Sequence, residues 1–275
     1  MYEPRLVYGN FFERWKDEII SGSIDLVLTD PPRGFFNETA IAGSLPVDDP
    51  IDLWKFESIL NQVLKFNGLV IVFCDLNLLI GLISAFEHFT LWHELVLNKT
   101  SGNRPVLTQP IRVHEFVAVF RRAESSPTKL CFDPYASGRK GGTYIKKNVC
   151  RDSKLRLTLN SEVNYGDPQG KRWLRSVIDC PSRPNLTEKE RFVTTNPFQK
   201  PLSVTELLIK VYSREHDLVL DPFAGSATSL IASCETDRRA IGFEICLRYY
   251  QEGLTRIINY VEEKENENYL FVMSG

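Results

Sequence analysis

The chain has 275 residues, 43% apolar and 25% charged, which suits one sizeable domain with an inserted module and an ordinary buried core. A net charge of −2 excludes a surface that is cationic throughout, so any nucleic-acid contact must come from a local window. Six cysteines without a Cys-x-x-Cys pair, and four histidines apart from them, form no zinc pattern, so no metal is expected and the thiols read as reduced cytoplasmic cysteines.

No basic stretch leads into an apolar run at the N-terminus, so no secretory signal is expected. Residues 24–29 form a short apolar run ending at Asp30-Pro31-Pro32, the pattern of a buried parallel strand that delivers polar groups at its end. Residues 33–50, rich in Gly, Pro, Asn and Asp, read as a mobile loop. Leu53, Phe56, Ile59, Leu60, Val63 and Leu64 recur at helical spacing, and Asn67-Gly68 is expected to end that helix before a strand over 69–73. A helix over 76–86 follows. Asp75 and Asn77 interrupt the apolar span 68–86, which argues for strand then helix and against a membrane span. Further strands are expected over 91–97 and 115–120.

Ser125-Ser126-Pro127 marks a break. Between residues 138 and 175 stand ten basic residues (Arg139, Lys140, Lys146, Lys147, Arg151, Lys154, Arg156, Lys171, Arg172 and Arg175) against Asp152, Glu162 and Asp167, a net +7. Tyr144, Tyr165 and Trp173 are interleaved, as in a nucleic-acid footprint; a solvated loop region accounts for the charge run as well. After Pro201 the strand–helix alternation resumes. Ser203 and Glu206 form a capping box for a helix over 204–212, and 218–220 is a strand. A turn over 221–226 opens a helix near Ser226 or Ala227, then come a strand over 240–244 and a helix over 249–260. The acidic tail 262–268 reads as a frayed or solvated helix end. Such alternation predicts an α/β fold with a mostly parallel, doubly wound sheet.

Two segments carry chemistry. Asp30-Pro31-Pro32 offers a carboxylate and a backbone carbonyl on a stiff loop whose prolines lack N–H groups, so it presents acceptors only. That suits an exocyclic amine, which has two N–H donors to give and whose nitrogen would be oriented to attack an electrophilic methyl. The second segment, a strand ending in Asp221 followed by a turn with Gly225 and then a helix, is the geometry of a nucleotide-type cofactor site. About twenty residues on, Glu244 ends the next strand, where an acid binds ribose hydroxyls. No glycine-rich loop ends in Lys-Ser or Lys-Thr, which argues against a nucleotide triphosphatase.

Taken in order, these segments resemble the beta-type DNA amino-methyltransferases of restriction–modification and phage systems, over nearly the whole length. Asp30-Pro31-Pro32 comes first, then the helix-to-strand step at 64–73, then Asn98-Lys99 and His114-Glu115-Phe116. The basic window sits in the place of the target-recognition region. Asn196-Pro197-Phe198-Gln199-Lys200-Pro201, the turn at 221–228 and Ile241-Gly242-Phe243-Glu244 follow. The order is the specific part, because ribosomal and transfer RNA methyltransferases usually run the cofactor motif first.

The resemblance implies S-adenosylmethionine as cofactor and a circularly permuted methyltransferase-type sheet. The catalytic domain would span 1–122 and 181–275, with a recognition insertion at 123–180. It implies methylation of an exocyclic amine on a flipped base of double-stranded DNA, adenine N6 ahead of cytosine N4 because Asp stands at position 30. Asp30, Pro31 and Pro32 would hold the amine. Asp221, Pro222, Phe223, Gly225, Ser226 and Thr228 would surround the methionine and adenosyl parts, Glu244 the ribose, and Lys200 the methionine carboxylate. Arg139, Lys140, Lys146, Lys147, Arg151, Lys171 and Arg172 are the candidate DNA contacts. The insertion is short, which points to a homodimer or a second subunit sharing recognition. The implied setting is the cytoplasm of a prokaryote or phage-infected cell, associated with the nucleoid.

Two positions depart from the family pattern. Arg33 stands where an aromatic stacks on the flipped base, with Phe35 and Phe36 as substitute stacking candidates, and Ala227 stands where a second glycine is common. A guanidinium can stack on a base, but it also brings positive charge toward a sulfonium. Arg33 therefore keeps open a second reading, a catalytically silent DNA-binding or partner subunit. A third reading keeps the fold and takes RNA or protein as substrate; the motif order argues against it.

Overall fold

Successive residues of the strand Ile24–Thr29 point to opposite sides of the sheet. Leu26 and Leu28 enter one apolar cluster and Val27 the other, all three essentially without solvent contact. The computed structural model describes residues 2–32, 50–99, 110–138, 145–147, 162–164, 171–181, 194–196 and 198–273. In chain order the elements are β1 (Arg5–Tyr8), α1 (Phe11–Glu18), β2 (Ile24–Thr29), α2 (Leu53–Val63), β3 (Leu64–Cys74), α3 (Leu76–Ala85), β4 (Phe89–Lys99) and β5 (His114–Arg122). Then follow β6 (Ile145–Lys147), β7 (Glu162–Asn164), β8 (Val177–Cys180), α4 (Leu202–Tyr212), β9 (Leu218–Asp221), α5 (Thr228–Glu235), β10 (Arg239–Glu244) and α6 (Leu247–Met273).

Eight strands form one sheet in the order β1-β10-β9-β2-β3-β5-β4-β8, while β6 and β7 pair separately. Within the eight-stranded sheet, among the described residues, the pairings of β5 with β3 and β4 are antiparallel and the rest are parallel; β6 and β7 pair antiparallel. Side chains of α4, α5 and α6 pack in one cluster with Leu26, Leu28, Ile71 and Val219. Side chains of α1, α2 and α3 pack in the other with Val27, Val70, Val72 and Leu220. The sheet is thus covered on both faces, as a doubly wound α/β fold requires. Among the described residues no helix is long and apolar enough to cross a membrane.

Two local expectations change. The helix after Asp52 stops at Val63, and Asn67-Gly68 lies inside β3. Ile24 pairs with Leu64 but Leu26 with Leu69, so β3 bulges between these positions, and a Cβ on Gly68 would come within 2.9 Å of the Asp25 carbonyl oxygen. The glycine marks a close approach of two strands, not a helix end. The capping box is not formed: α4 begins at Leu202 with Pro201 as N-cap and no side-chain cap, which leaves Ser203 within the first turn. The acidic tail lies within α6, which runs as helix to Met273, in keeping with a solvated helix end.

The β8 strand falls inside the span assigned to the insertion, yet it joins the main sheet, pairing Val177 with Val96 and Cys180 with Lys99.

Candidate active site

The carboxyl ends of β10, β9 and β2 lie side by side, which brings Glu244, Asp221 and Asp30 to one edge of the sheet. The join between β9 and β2 is a buried hydrogen bond, Thr29 Oγ1 donating to Asp221 Oδ1 at 2.6 Å. The same Asp221 oxygen accepts from the Phe223 amide at 3.1 Å, and the other accepts from the Ser229 hydroxyl. Burial pushes the Asp221 carboxyl up to about 6, even though Ser229, Thr29 and the Phe223 amide all favour its charged form.

The turn after β9 is held from both sides. Glu244 accepts from the Gly225 amide at 2.8 Å and from the Cys246 amide at 2.7 Å, and burial raises its pKa against those two bonds. Gly225 has φ +52°, and a Cβ there would stand 2.9 Å from Asn196 Nδ2, so the turn needs glycine for both conformation and space. Ala227 adopts φ 62° as the N-cap of α5 and is fully buried, so the substituted glycine position keeps the left-handed backbone. On the far side, α6 comes in at Gly253, where a Cβ would lie 3.2 Å from the Gly225 carbonyl oxygen. Its buried Arg256 donates to the Ser226 carbonyl and, at 2.9 Å, to Thr228 Oγ1.

The cofactor-motif residues therefore come together, but several are turned into the scaffold. Asp221, Ser226 and Thr228 are buried and hydrogen-bonded within it. The Phe223 ring sits 5.7 Å from that of Phe56 and 6.2 Å from that of Phe12. Pro222 is also buried.

On the β2 side, Lys200 reaches Asp30 Oδ2 at 2.7 Å and Glu115 Oε1 at 3.0 Å, with its ammonium 5.0 Å from the centre of the Phe73 ring. Lys99 meets Glu115 Oε2 at 3.1 Å. Pro31 and Pro32 follow Asp30, the first buried and the second half-buried. Arg33, Phe35, Phe36, Arg139, Lys140 and Arg151 lie outside the described residues, and Lys146 and Lys147 are described only as backbone of β6. Lys171 and Arg172 precede β8, beside Trp173, whose indole donates to the Tyr135 hydroxyl at 2.9 Å. Among the described residues no group of three or more His, Cys, Asp or Glu side chains could hold a metal ion.

Reading the sequence missed Thr29, Asn196, Glu115 and Arg256 as parts of this site. Glu115 could have been noticed as an acid opening an apolar strand. Arg256 could have been noticed as a cation on the helix stripe that carries Gly253, Ile257 and Tyr260.

The architecture is that of DNA methyltransferases. The M1.HpyAVI–SAM complex superposes with a TM-score of 0.62 at 19% identity, covering 92% of this chain and 98% of that one. PvuII DNA methyltransferase (cytosine-N4-specific) gives 0.61 at 14% identity, covering 94% and 92%. The chain belongs to the DNA methylase family of N6/N4 type, whose family model matches residues 24–255. The type II methyltransferase M.HindIII of Haemophilus influenzae is 52% identical over 213 residues. That alignment takes in 71% of this chain and 65% of M.HindIII, so the chain spans a little under two thirds of that relative's length.

Proposed function

We propose that the chain transfers a methyl group from S-adenosylmethionine to the exocyclic amine of a base flipped out of double-stranded DNA, adenine N6 ahead of cytosine N4. The observation that carries this reading is the adjacency of β2 and β9, which sets the acceptor-only Asp30-Pro31-Pro32 segment beside the glycine turn. The residues present fit the cofactor: the Gly225 backbone permits close approach, and the Glu244 carboxylate stands at the end of β10, where ribose hydroxyls need an acceptor. When bound, S-adenosylmethionine supplies an electrophilic methyl on a sulfonium.

The chain's own contribution is to orient the amine. The Asp30 carboxylate and Pro31 carbonyl accept its two N–H groups, which draws the nitrogen lone pair out of conjugation with the ring and aims it at the methyl. The nitrogen sheds one proton to water as its bond to the methyl forms and the methyl–sulfur bond breaks to leave a neutral thioether. Asp rather than Ser at position 30 supports adenine. The basic residues of 123–180 support contacts to DNA phosphates, with a second copy or second subunit completing recognition. A cytoplasmic, nucleoid-associated setting belongs to the same reading.

Methyl transfer from labelled S-adenosylmethionine to unmethylated DNA of mixed sequence, followed by nucleoside mass spectrometry, tests it. Label in N6-methyladenine is expected; label in N4-methylcytosine would keep the enzyme and change the base. Arg33 is the residue on which a silent-subunit reading stands. Binding of cofactor and DNA without transfer, together with activity gained in Arg33→Tyr, would favour that reading.

A further inference from the structure

We propose that Glu115 is a positioning residue for methyl transfer, fixing the Asp30 carboxylate through the ammonium of Lys200. This rests on the methyl-transfer reading above. Four charges of alternating sign run along the site edge: Asp30, Lys200, Glu115 and Lys99, at successive separations of 2.7, 3.0 and 3.1 Å. They come from the ends of β2, β5 and β4 and from the segment leading into α4. Glu115 reaches this edge because β5 runs antiparallel to its neighbours, which puts its first residues beside the last residues of β3 and β4.

A requirement for fold stability alone does not explain Glu115. It is 4% exposed, its strand continues as Val117 and Val119, and an ion pair in such a place contributes less to stability than apolar packing does. Its geometry explains more. Each carboxylate oxygen faces one ammonium, so Lys200 is pulled from two sides and cannot follow Asp30 alone. The Phe73 ring restricts the same ammonium from a third direction. Sharing the cation also leaves Asp30 with only part of its field, so the carboxylate stays a strong acceptor for the amine. Without the Glu115 charge, Lys200 would collapse onto Asp30, and the positive charge of Lys99 would be unbalanced.

The test is steady-state methyl transfer to DNA, with cofactor affinity and melting temperature measured in parallel on the full chain. Glu115→Gln is expected to lower kcat by about tenfold or more, because small misplacement of a reacting group is costly, while cofactor Kd stays within about threefold. Lys99→Gln leaves Glu115 pulling on Lys200 alone and is expected to lower kcat severalfold with the same separation from Kd. A kcat equal to wild type in Glu115→Gln would overturn the proposal. So would a kcat that falls only in step with cofactor affinity and melting temperature, which is what a structural role gives. If Glu115→Gln does not fold, Lys99→Gln decides, and an unchanged kcat there overturns it. Absence of transfer in the wild type is a different result, which removes the methyl-transfer reading and this proposal with it.

Discussion

The Thr29 hydroxyl donates to the Asp221 carboxylate at 2.6 Å across 192 residues of sequence, and this bond joins the strand that leads into Asp30 to the strand that opens the glycine turn. Removing it without changing shape isolates its worth. Thr29→Val is expected to destabilise the fold by about 1–3 kcal/mol, the cost of leaving a buried acceptor short of one donor. Urea unfolding checks the magnitude. An unchanged midpoint would mean that water or Ser229 takes over the lost bond.

Asp221 also sets a pH dependence. Its carboxyl is pushed by burial from 3.8 up to about 6, so in this range the folded state holds a proton that the unfolded state has lost. The contribution is fully present below the unfolded pKa and is lost as pH rises through about 6. Burial raises Glu244 as well, with the same sign. Stability is therefore expected to decline between about pH 4 and pH 6 on account of these groups. Asp221→Asn, whose amide keeps one acceptor oxygen, should flatten that decline. Urea midpoints across the range, compared between the two proteins, give the answer; parallel curves would assign the decline to other groups.

The turn itself makes a prediction about its two left-handed residues. Gly225→Ala places a methyl group against Asn196 at a φ of +52°, and is expected to cost about 1–2 kcal/mol for conformation before the displacement of Asn196 is counted. Cofactor affinity should fall with it. Ala227→Gly is expected to leave stability within about 1 kcal/mol, since relief at φ 62° is offset by greater freedom of the unfolded chain and a lost buried methyl. Calorimetric melting and titration with S-adenosylmethionine measure both. A larger loss at Ala227 than at Gly225 would reverse this assignment.

Much of this edge was legible from the chain alone because its signals are local. An apolar run of strand length ending in Asp-Pro-Pro, and another ending in Asp221 before a glycine, need no tertiary knowledge to be read as strands delivering polar groups. What stayed hidden depends on partners far away in sequence. Gly68 looks like a helix stop until β2 is seen passing within reach of its Cα. Ser203 and Glu206 fit a capping box by spacing, yet Glu206 is buried and the helix starts two residues earlier, at Leu202. The reversed direction of β5, which brings Glu115 to the site, follows from how the chain returns after β4, and no periodicity within 115–120 encodes it. Lys200 was read as a cofactor contact, and its bonds to Asp30 and Glu115 appear only once three strands are assembled.

Arg256 is the residue for which fold and site are hardest to separate. It is buried on α6 and donates to the Ser226 carbonyl and the Thr228 hydroxyl, so it holds the glycine turn from behind, at a helix that Gly253 lets approach the turn. Arg256→Met keeps most of the apolar stem and removes the donors. A destabilisation of about 2–3 kcal/mol is expected from the loss of charge-assisted bonds to buried acceptors. A turn loosened at Ser226 should also bind cofactor about tenfold more weakly, which corresponds to about 1.4 kcal/mol. DNA affinity without cofactor should be unaffected, because Arg256 is buried behind the turn. Titration with S-adenosylmethionine at a temperature where both proteins are folded separates the two effects. Weakened cofactor binding with intact DNA binding makes Arg256 part of the cofactor site's support, whereas equal affinities for cofactor confine it to holding α6 on the sheet.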